Sequence, residues 1–530
     1  MSQVMVGARP LLRATLKQDA RNIGPWIVLI TALSASSVLA YGWVFPDVAS
    51  RQRLAATLGT NPALSLIFGP ARDLLTADGF NAWRAGALGA FFAALMAVFI
   101  VVRNSRADED SGQAELLASG VMGRQTRLAV ALLVAVLASV ALGVVSWLVT
   151  VACGGGWVDS LALSATFTAS GLMFAGVAAI AAQIGSDART ANSIAVAVLG
   201  VAFIVRGYID ASQSAEWTVW LTPLGWLEQV RPASGNNGWP LLLAVGLAIL
   251  LAAIALALSA RRDFGLGMVA PRRGPARGGL VASVWGLAVR INRGPLISWL
   301  VAFAGLGMVF GFLSTSVSSV FADNPNMGGL IAAGAAGPAG LLFEFIVTIL
   351  RLVGIIAAVF GVQIALRVYA EEIDYRVEPV LAGSVSRSKY LASNAIIAFA
   401  APAVAILLSG TVIGLIAASA EPGIAATQVI GQAAATIPAV WVLVAVALAA
   451  VGANPRVRLA GWLAIVATFA LTILGPLFRL WDWILGISPL WHVPNVTATA
   501  PDWSGLGWVG LITVALTAVA FVGFRRRDVI

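Results

Sequence analysis

The chain has 530 residues, 59% of them hydrophobic and 11% charged, with a mean hydropathy of +0.91. A soluble domain carries roughly 25% charged residues, so these numbers exclude a soluble fold of ordinary surface. The lone Cys153 excludes an intrachain disulfide and a cysteine metal site, the lone His492 excludes a histidine cluster, and no metal is expected.

The net charge of +9 would suggest nucleic acid in a soluble protein, but here the basic residues flank apolar runs. Membrane topology accounts for them, and no nucleic-acid partner is expected. Met1–Gly24 is long and basic, unlike a cleaved secretion signal, so Pro25–Phe45 reads as an uncleaved first span. Within Met1–Gly24, Arg9, Arg13 and Lys17 stand four apart, with Leu12, Leu16 and Ala20 on a neighbouring face. That pattern predicts an amphipathic leading helix over 8–22, lying at the membrane surface with its basic side chains toward lipid phosphates. Val284, Leu287, Ala288 and Ile291 repeat the apolar spacing before the second half.

Uncharged stretches near the ~20 residues that span a bilayer as helix then recur along the chain. They predict spans at 25–45, 85–103, 127–151, 161–183, 190–209, 239–260, 296–316, 344–366, 391–418, 428–450, 459–478 and 506–524. Backbone groups in lipid must be satisfied within their own segment, and the alternation of an outer-membrane barrel is absent, so the expected fold is an all-α polytopic membrane protein. With the N-terminus inside, 25 of the 33 basic residues fall at cytoplasmic segments. This is the positive-inside bias, and it places both termini in the cytoplasm.

The sequence also repeats itself. Asn22-Ile-Gly-Pro25 returns as Asn292-Arg-Gly-Pro295, and Asn61-Pro62 as Asn324-Pro325. Glu115–Arg124 aligns without gaps to Glu378–Arg387, and Gly185-Ser-Asp-Ala-Arg189 to Gly452-Ala-Asn-Pro-Arg456. Thr222-Pro-Leu224 pairs with Ser488-Pro-Leu490, and Arg261-Arg-Asp263 with Arg526-Arg-Asp528. The matches run in order at offsets of 263 to 270 residues, which indicates a tandem duplication. The expected organisation is a six-helix half over 1–263, a basic cytoplasmic linker over 264–283, and a second six-helix half over 284–530. Six spans is an even number, so the halves insert in parallel, related by an axis along the membrane normal, with any pathway between them.

No segment can hydrolyse a nucleotide. A phosphate-binding loop needs a lysine after glycine, whereas Lys17 follows Leu16 and Lys389 follows Ser388. No catalytic residue and no cofactor is expected in this chain. The strongest repeated motif is the cytoplasmic loop between the second and third spans, 104–126 and 367–390. The first copy reads Asp108-Glu109-Asp110-Ser-Gly112-Gln-Ala-Glu115-Leu-Leu, then Arg124; the second reads Glu371-Glu372-Ile-Asp374, then Glu378, Arg387 and Lys389. Acids at a helix start and bases at its end complement the helix dipole.

The pattern Glu-x-x-Gly-x-x-Glu-Leu-Leu, a small-residue turn and Arg resembles the first cytoplasmic loop of ABC-2-type permeases. Glu109, Gly112, Glu115 and Arg124 match in the first half; Glu372, Glu378 and Arg387 match in the second, where Tyr375 replaces the glycine and Pro379 follows the glutamate. The fused twelve-span form resembles actinobacterial permeases described as polyketide-antibiotic (tetronasin-type) or multidrug exporters. The resemblance implies that these loops are coupling helices seated on two copies of a separate ABC ATPase, which holds the ATP and Mg. It implies export of a hydrophobic or amphipathic compound across the bacterial cytoplasmic membrane, with antibiotic resistance as a consequence.

Two other groups stand at membrane depth. Glu344 and Arg351 are seven apart, which places them on one face of the eighth span as candidates for lining the substrate pathway or bracing it. The rival readings are a proton-coupled twelve-helix carrier, which usually places acids or histidines within its spans, and a membrane scaffold or lipid-modifying enzyme, which should show paired carboxylates or metal ligands near a span end.

Overall fold

The computed structural model describes residues 7–58, 62–110, 125–211, 215–262, 267–268, 283–322, 338–477, 481–498 and 500–528. Every regular element among them is helical. The chain divides into two compact units, Met1–Gly274 and Pro275–Ile530. The first contains the long helices α1 (Ala8–Val44), α2 (Ala77–Val102), α3 (Thr126–Ala152), α4 (Trp157–Ile184), α5 (Ala188–Ala211) and α6 (Trp239–Arg261). The second contains α7 (Val284–Ala322), α8 (Pro338–Ile373), α9 (Arg387–Ala420), α10 (Ala426–Ala453), α11 (Ala460–Leu477) and α12 (Ser504–Arg526).

Eleven helices among the described residues are long and apolar enough to cross a bilayer. The remaining expected span, 459–478, falls on α11, an uncharged helix of 18 residues whose last side chains lie outside the described residues. The molecule is an all-α, multi-pass membrane protein.

Each unit is built around its fourth helix. In the first, α4 packs against α2, α3, α5 and α6, while α1 lies against α2 and α3. In the second, α10 packs against α8, α9, α11 and α12, while α7 lies mainly against α9. Lipid tails are as apolar as leucine, so close van der Waals contact between small residues holds such helices together. A Cβ on Gly452 of α10 would stand 2.3 Å from the Ala520 carbonyl oxygen of α12, and one on Gly523 would stand 2.5 Å from the Ala453 Cα. Hydroxyls add interhelical bonds: Ser170 donates to the Ala90 carbonyl at 2.6 Å and Ser409 to the Phe303 carbonyl at 2.6 Å. The peripheral helix α6 turns Leu242, Ile249 and Leu250 outward, an apolar face suited to lipid.

Two features depart from the sequence-based expectation. Among the described residues, no separate leading helix precedes the first span of either unit. α1 runs unbroken for 37 residues through Pro25, and α7 for 39 residues through Pro295. A proline removes one backbone hydrogen bond and forces a break only if the remaining turns lack tertiary support. Here the segment before Pro25 is anchored, because Leu12 and Leu16 pack on the core while Arg9, Arg13 and Lys17 stay exposed. The second span also begins earlier than expected, since the Thr76 hydroxyl accepts the Gly79 amide at 3.0 Å and caps α2 eight residues ahead of position 85.

The tight crossing of α10 and α12 gives a direct check. Gly452→Leu or Gly523→Leu is expected to destabilise the second unit by about 1–3 kcal/mol through overpacking, seen as a lower thermal midpoint of the purified chain. Gly431→Ala on the same helix has open space around its Cβ and should leave the midpoint unchanged.

Candidate functional site

Where the second helix of each unit ends, its side chains bind the ends of the other helices. In the first unit α2 continues through a π-turn, Arg103–Ala107, into Asp108–Asp110. The π-turn rotates successive side chains into three directions. Arg103 lies 2.9 Å from Asp19 of α1, a carboxylate that is itself buried. Arg106, fully enclosed, pairs with Glu109 at 2.8 Å and donates to the Ser186 carbonyl between α4 and α5. Glu109 in turn receives Arg262, from the end of α6, at 2.7 and 2.8 Å on its two oxygens. Arg127 at the start of α3 stands 3.9 Å from the same carboxylate and donates to the Ser105 carbonyl at 2.9 Å.

The turn into α5 is held from both sides. Asp110 accepts the Ala188 amide at 2.6 Å, and Asp187 accepts the Thr190 amide at 2.9 Å, placing two acids at the positive end of the helix. Burial pushes the Asp187 carboxyl up, but hydrogen bonds from the Thr190 amide and hydroxyl and from Ser186 outweigh it and hold the group below its ordinary pKa.

The second unit repeats the joint with different parts. Glu372, 3% exposed, receives Arg527 from beyond α12 at 2.6 and 2.7 Å. Arg527 also donates to the Gly452 carbonyl in the last turn of α10 at 3.1 Å, much as Arg106 holds the Ser186 carbonyl in the first unit. Arg387 at the start of α9 donates to the Arg527 carbonyl at 2.7 Å. The pairing Glu109–Arg262 thus corresponds to Glu372–Arg527, which explains why Arg-Arg-Asp closes both repeats.

Of the expected coupling residues, Glu109 and Glu372 are brought into these joints, and their carboxylates face inward. Gly112, Glu115 and Arg124 lie outside the described residues. Glu378 is exposed at the start of a four-residue helix, Glu378–Leu381, and forms with Leu381, Val385 and Arg387 the wall of a surface groove of about 310 Å³. The replacement of glycine by Tyr375 has a visible cost. α8 ends in a Schellman turn, in which Arg376 donates to the Glu371 carbonyl at 3.0 Å and Tyr375 to the Glu372 carbonyl at 3.0 Å. This turn needs a left-handed residue, and Tyr375 adopts φ +57° where the aligned residue of the first half is Gly112.

At the other end of the helices the first unit contains a charge cluster that sequence reasoning missed. Arg206, 2% exposed, pairs through Nη1 with Glu228 at 2.8 Å and Asp210 at 3.4 Å. Its Nη2 donates to the Leu66 and Ile67 carbonyls at 3.3 and 3.0 Å. The available signal was the i, i+4 spacing of Arg206 and Asp210 at the end of a span. Among the described residues of the second unit, Gln432 donates to the Pro494 carbonyl at 3.0 Å and accepts the Val496 amide at 3.0 Å. Glu344 is exposed and accepts Asn495 at 2.6 Å, whereas the buried Nε of Arg351 has no hydrogen-bond partner. No salt bridge joins the two.

An all-helical multi-pass architecture in two similar units, with most charge at the helix ends and at a few buried sites, defines a polytopic integral membrane protein. The profile of the family described as "Multidrug efflux system permease Rv1217c, C-terminal domain" matches residues 24–258 and again 281–525, once within each compact unit. Similarity also extends over the whole chain to the "Multidrug efflux system permease protein Rv1217c" of Mycobacterium tuberculosis (strain ATCC 25618 / H37Rv), with 36% identity over 528 residues, 99% of this chain and 95% of the relative. The chain belongs to this family of multidrug efflux permeases.

Two outcomes follow from the joint. Removing one partner of a buried ion pair strands the other, so Glu372→Ala or Arg527→Ala is expected to cost about 3 kcal/mol in thermal unfolding of the purified chain. The double variant should cost less than the sum of the singles. Tyr375→Gly should raise stability by about 1 kcal/mol and Tyr375→Val should lower it, in the same assay.

Proposed function

We propose that this chain is the membrane permease of an ATP-driven ABC exporter of the ABC-2 type, moving hydrophobic or amphipathic compounds outward with two copies of a separate ATPase. Its family, and a relative named as a multidrug efflux system permease, support the efflux reading. The chain itself offers no lysine in a phosphate-binding loop, so the nucleotide and its Mg belong to the partner.

The observation that carries the coupling role is the exposed segment Glu378–Ser386 of the second unit. It presents a short helix and a groove to solvent, yet both its ends are anchored: α8 by Glu372 on Arg527, and α9 by Arg387 on the carbonyls of Arg525 and Arg527. A partner pressing on Glu378–Leu381 therefore acts on α8, α9 and α12 together. In the first unit the corresponding anchors are Glu109 on Arg262 and Arg127 on Ser105, flanking the stretch that contains Gly112, Glu115 and Arg124. Both loops take the cytoplasmic side by the positive-inside bias, which sets Arg9, Arg13 and Lys17 against the inner lipid surface.

An ATPase encoded beside this chain is expected to co-purify with it at two copies per permease. Arg387→Ala combined with Arg124→Ala should reduce drug-stimulated ATP hydrolysis about tenfold while leaving insertion intact, because docking interfaces concentrate their energy in a few arginine and aromatic anchors. Unchanged stimulation in the double variant would refute the coupling role, and efflux driven by a proton gradient alone would refute the ATP-driven reading.

A further inference from the structure

Within ion-pair distance, the buried charge cluster at the outer end of the first unit holds two acids and one base. Nη1 of Arg206 serves both Glu228, at 2.8 Å, and Asp210, at 3.4 Å. Nη2 is taken by the Leu66 and Ile67 carbonyls, at the end of the short helix Pro62–Phe68. The guanidinium therefore ties α5 to that helix and to the helix Pro223–Glu228. The acids are enclosed with it, the Asp210 side chain 3% exposed and that of Glu228 14%.

The hydrogen bonds of this cluster do not close. Asp210 Oδ2 and Glu228 Oε2 are buried and receive no hydrogen bond. The two carboxyl groups also stand within hydrogen-bonding reach of each other. Two ionised carboxylates cannot keep that contact, since both only accept and both are negative. One proton between them supplies the missing donor and removes the repulsion. The surrounding charges lie farther off. Arg72 acts on both acids without an ion pair to either, and Arg231 and Glu216 beside it add one charge of each sign. Asp73 is turned to the Leu75 amide and the Thr76 hydroxyl. Of the charged groups of α2 and α4 at this end, Asp78 accepts the Gly156 amide, Arg84 reaches Ser37 and Asp159 accepts Asn236. Asp210 lines an outer vestibule of about 730 Å³ together with Glu216 and Trp217, which gives a proton on the pair a route to the outer solution.

We propose that Asp210 and Glu228 together bind one exchangeable proton at neutral pH, and that this proton keeps the latch formed by Arg206 closed. The proton belongs to the pair rather than to either residue. When it leaves, two charged carboxylates compete for one guanidinium nitrogen, and the longer contact, that of Asp210, is the one to open. The end of α5 is then released from the helix Pro223–Glu228. The outer end of the first unit thus responds to the pH of the outer solution, tightening as it falls and loosening as it rises. The inference goes beyond the exporter reading and requires neither an ATPase nor a transported compound.

The test is infrared spectroscopy of the purified full chain in a detergent without ester groups, whose carbonyl band overlaps the signal. An ordinary carboxyl titrates near ~4 and is ionised at about pH 7. Subtracting the spectrum of Asp210→Asn, or that of Glu228→Gln, from the wild-type spectrum is expected to leave a protonated-carboxyl C=O band at about pH 7. In either variant the remaining acid stands alone on Arg206 and ionises, so both subtractions show the band. The band should move down in heavy water and vanish as the pH is raised to about 9, and the exposed Asp502→Asn should give no such band. Thermal unfolding supplies a second readout. The protonated pair is the stable form, so the wild-type midpoint should fall relative to that of Asp210→Asn between about pH 7 and about pH 9. Monodisperse elution of each variant establishes that it is folded. Absence of the band from either subtraction, or a midpoint difference that does not change with pH, would overturn the proposal. Neither measurement involves a nucleotide, so the ATP-driven reading stands or falls separately.

Discussion

Each unit hangs on one buried carboxylate held by one guanidinium, Glu109 with Arg262 and Glu372 with Arg527. The acid stands where the second helix ends and the arginine where the sixth does, so the pair joins elements more than 150 residues apart. Away from water a carboxylate without its partner is expensive, which makes the geometry of this contact close to compulsory. The neighbouring bonds depend on it. With Arg262 or Arg527 in place, the chain where the fourth helix ends is held through the Ser186 or Gly452 carbonyl and the start of the third helix through Arg127 or Arg387. Four helix ends in each unit are thereby fixed to one another at the face where the repeated loop leaves the bundle.

The same joint is assembled from different residues in the two units. Arg106 reaches a carbonyl near the end of the fourth helix from the second helix in one, and Arg527 reaches one from the sixth in the other. Asp19 receives Arg103 in the first unit, and Asn292 receives Arg367 in the second at 3.5 Å. The described residues differ more at the opposite ends of the helices, where Arg206 pairs with Asp210 and Glu228 in the first unit and Gln432 bonds the Pro494–Val496 backbone in the second.

Much of the fold was legible because the bilayer imposes a simple rule: some twenty apolar residues, helical, with charge at the ends. The repeats could be aligned from Asn-x-Gly-Pro and Arg-Arg-Asp alone; Arg-Arg-Asp marks the end of the sixth helix of each unit, whereas Asn-x-Gly-Pro lies inside the first. Less was legible at the sites. Glu109 and Glu372 stand out in a sequence pattern, but nothing local distinguishes a glutamate that faces a partner from one that turns inward onto an arginine 150 residues away. Pro25 and Pro295 look like breaks before a span, and tertiary support carries the helix through both.

The sequence by itself determined the class of molecule, the number of helices to within one, and the duplication, because hydropathy and repeated order are properties of the chain read one residue at a time. Only the tertiary structure decided which charges are partnered. The ion pairs of Glu109 and Glu372 and the Arg206 cluster arise where distant segments meet, and in a low-dielectric interior the energy of a charge is set by what meets it there.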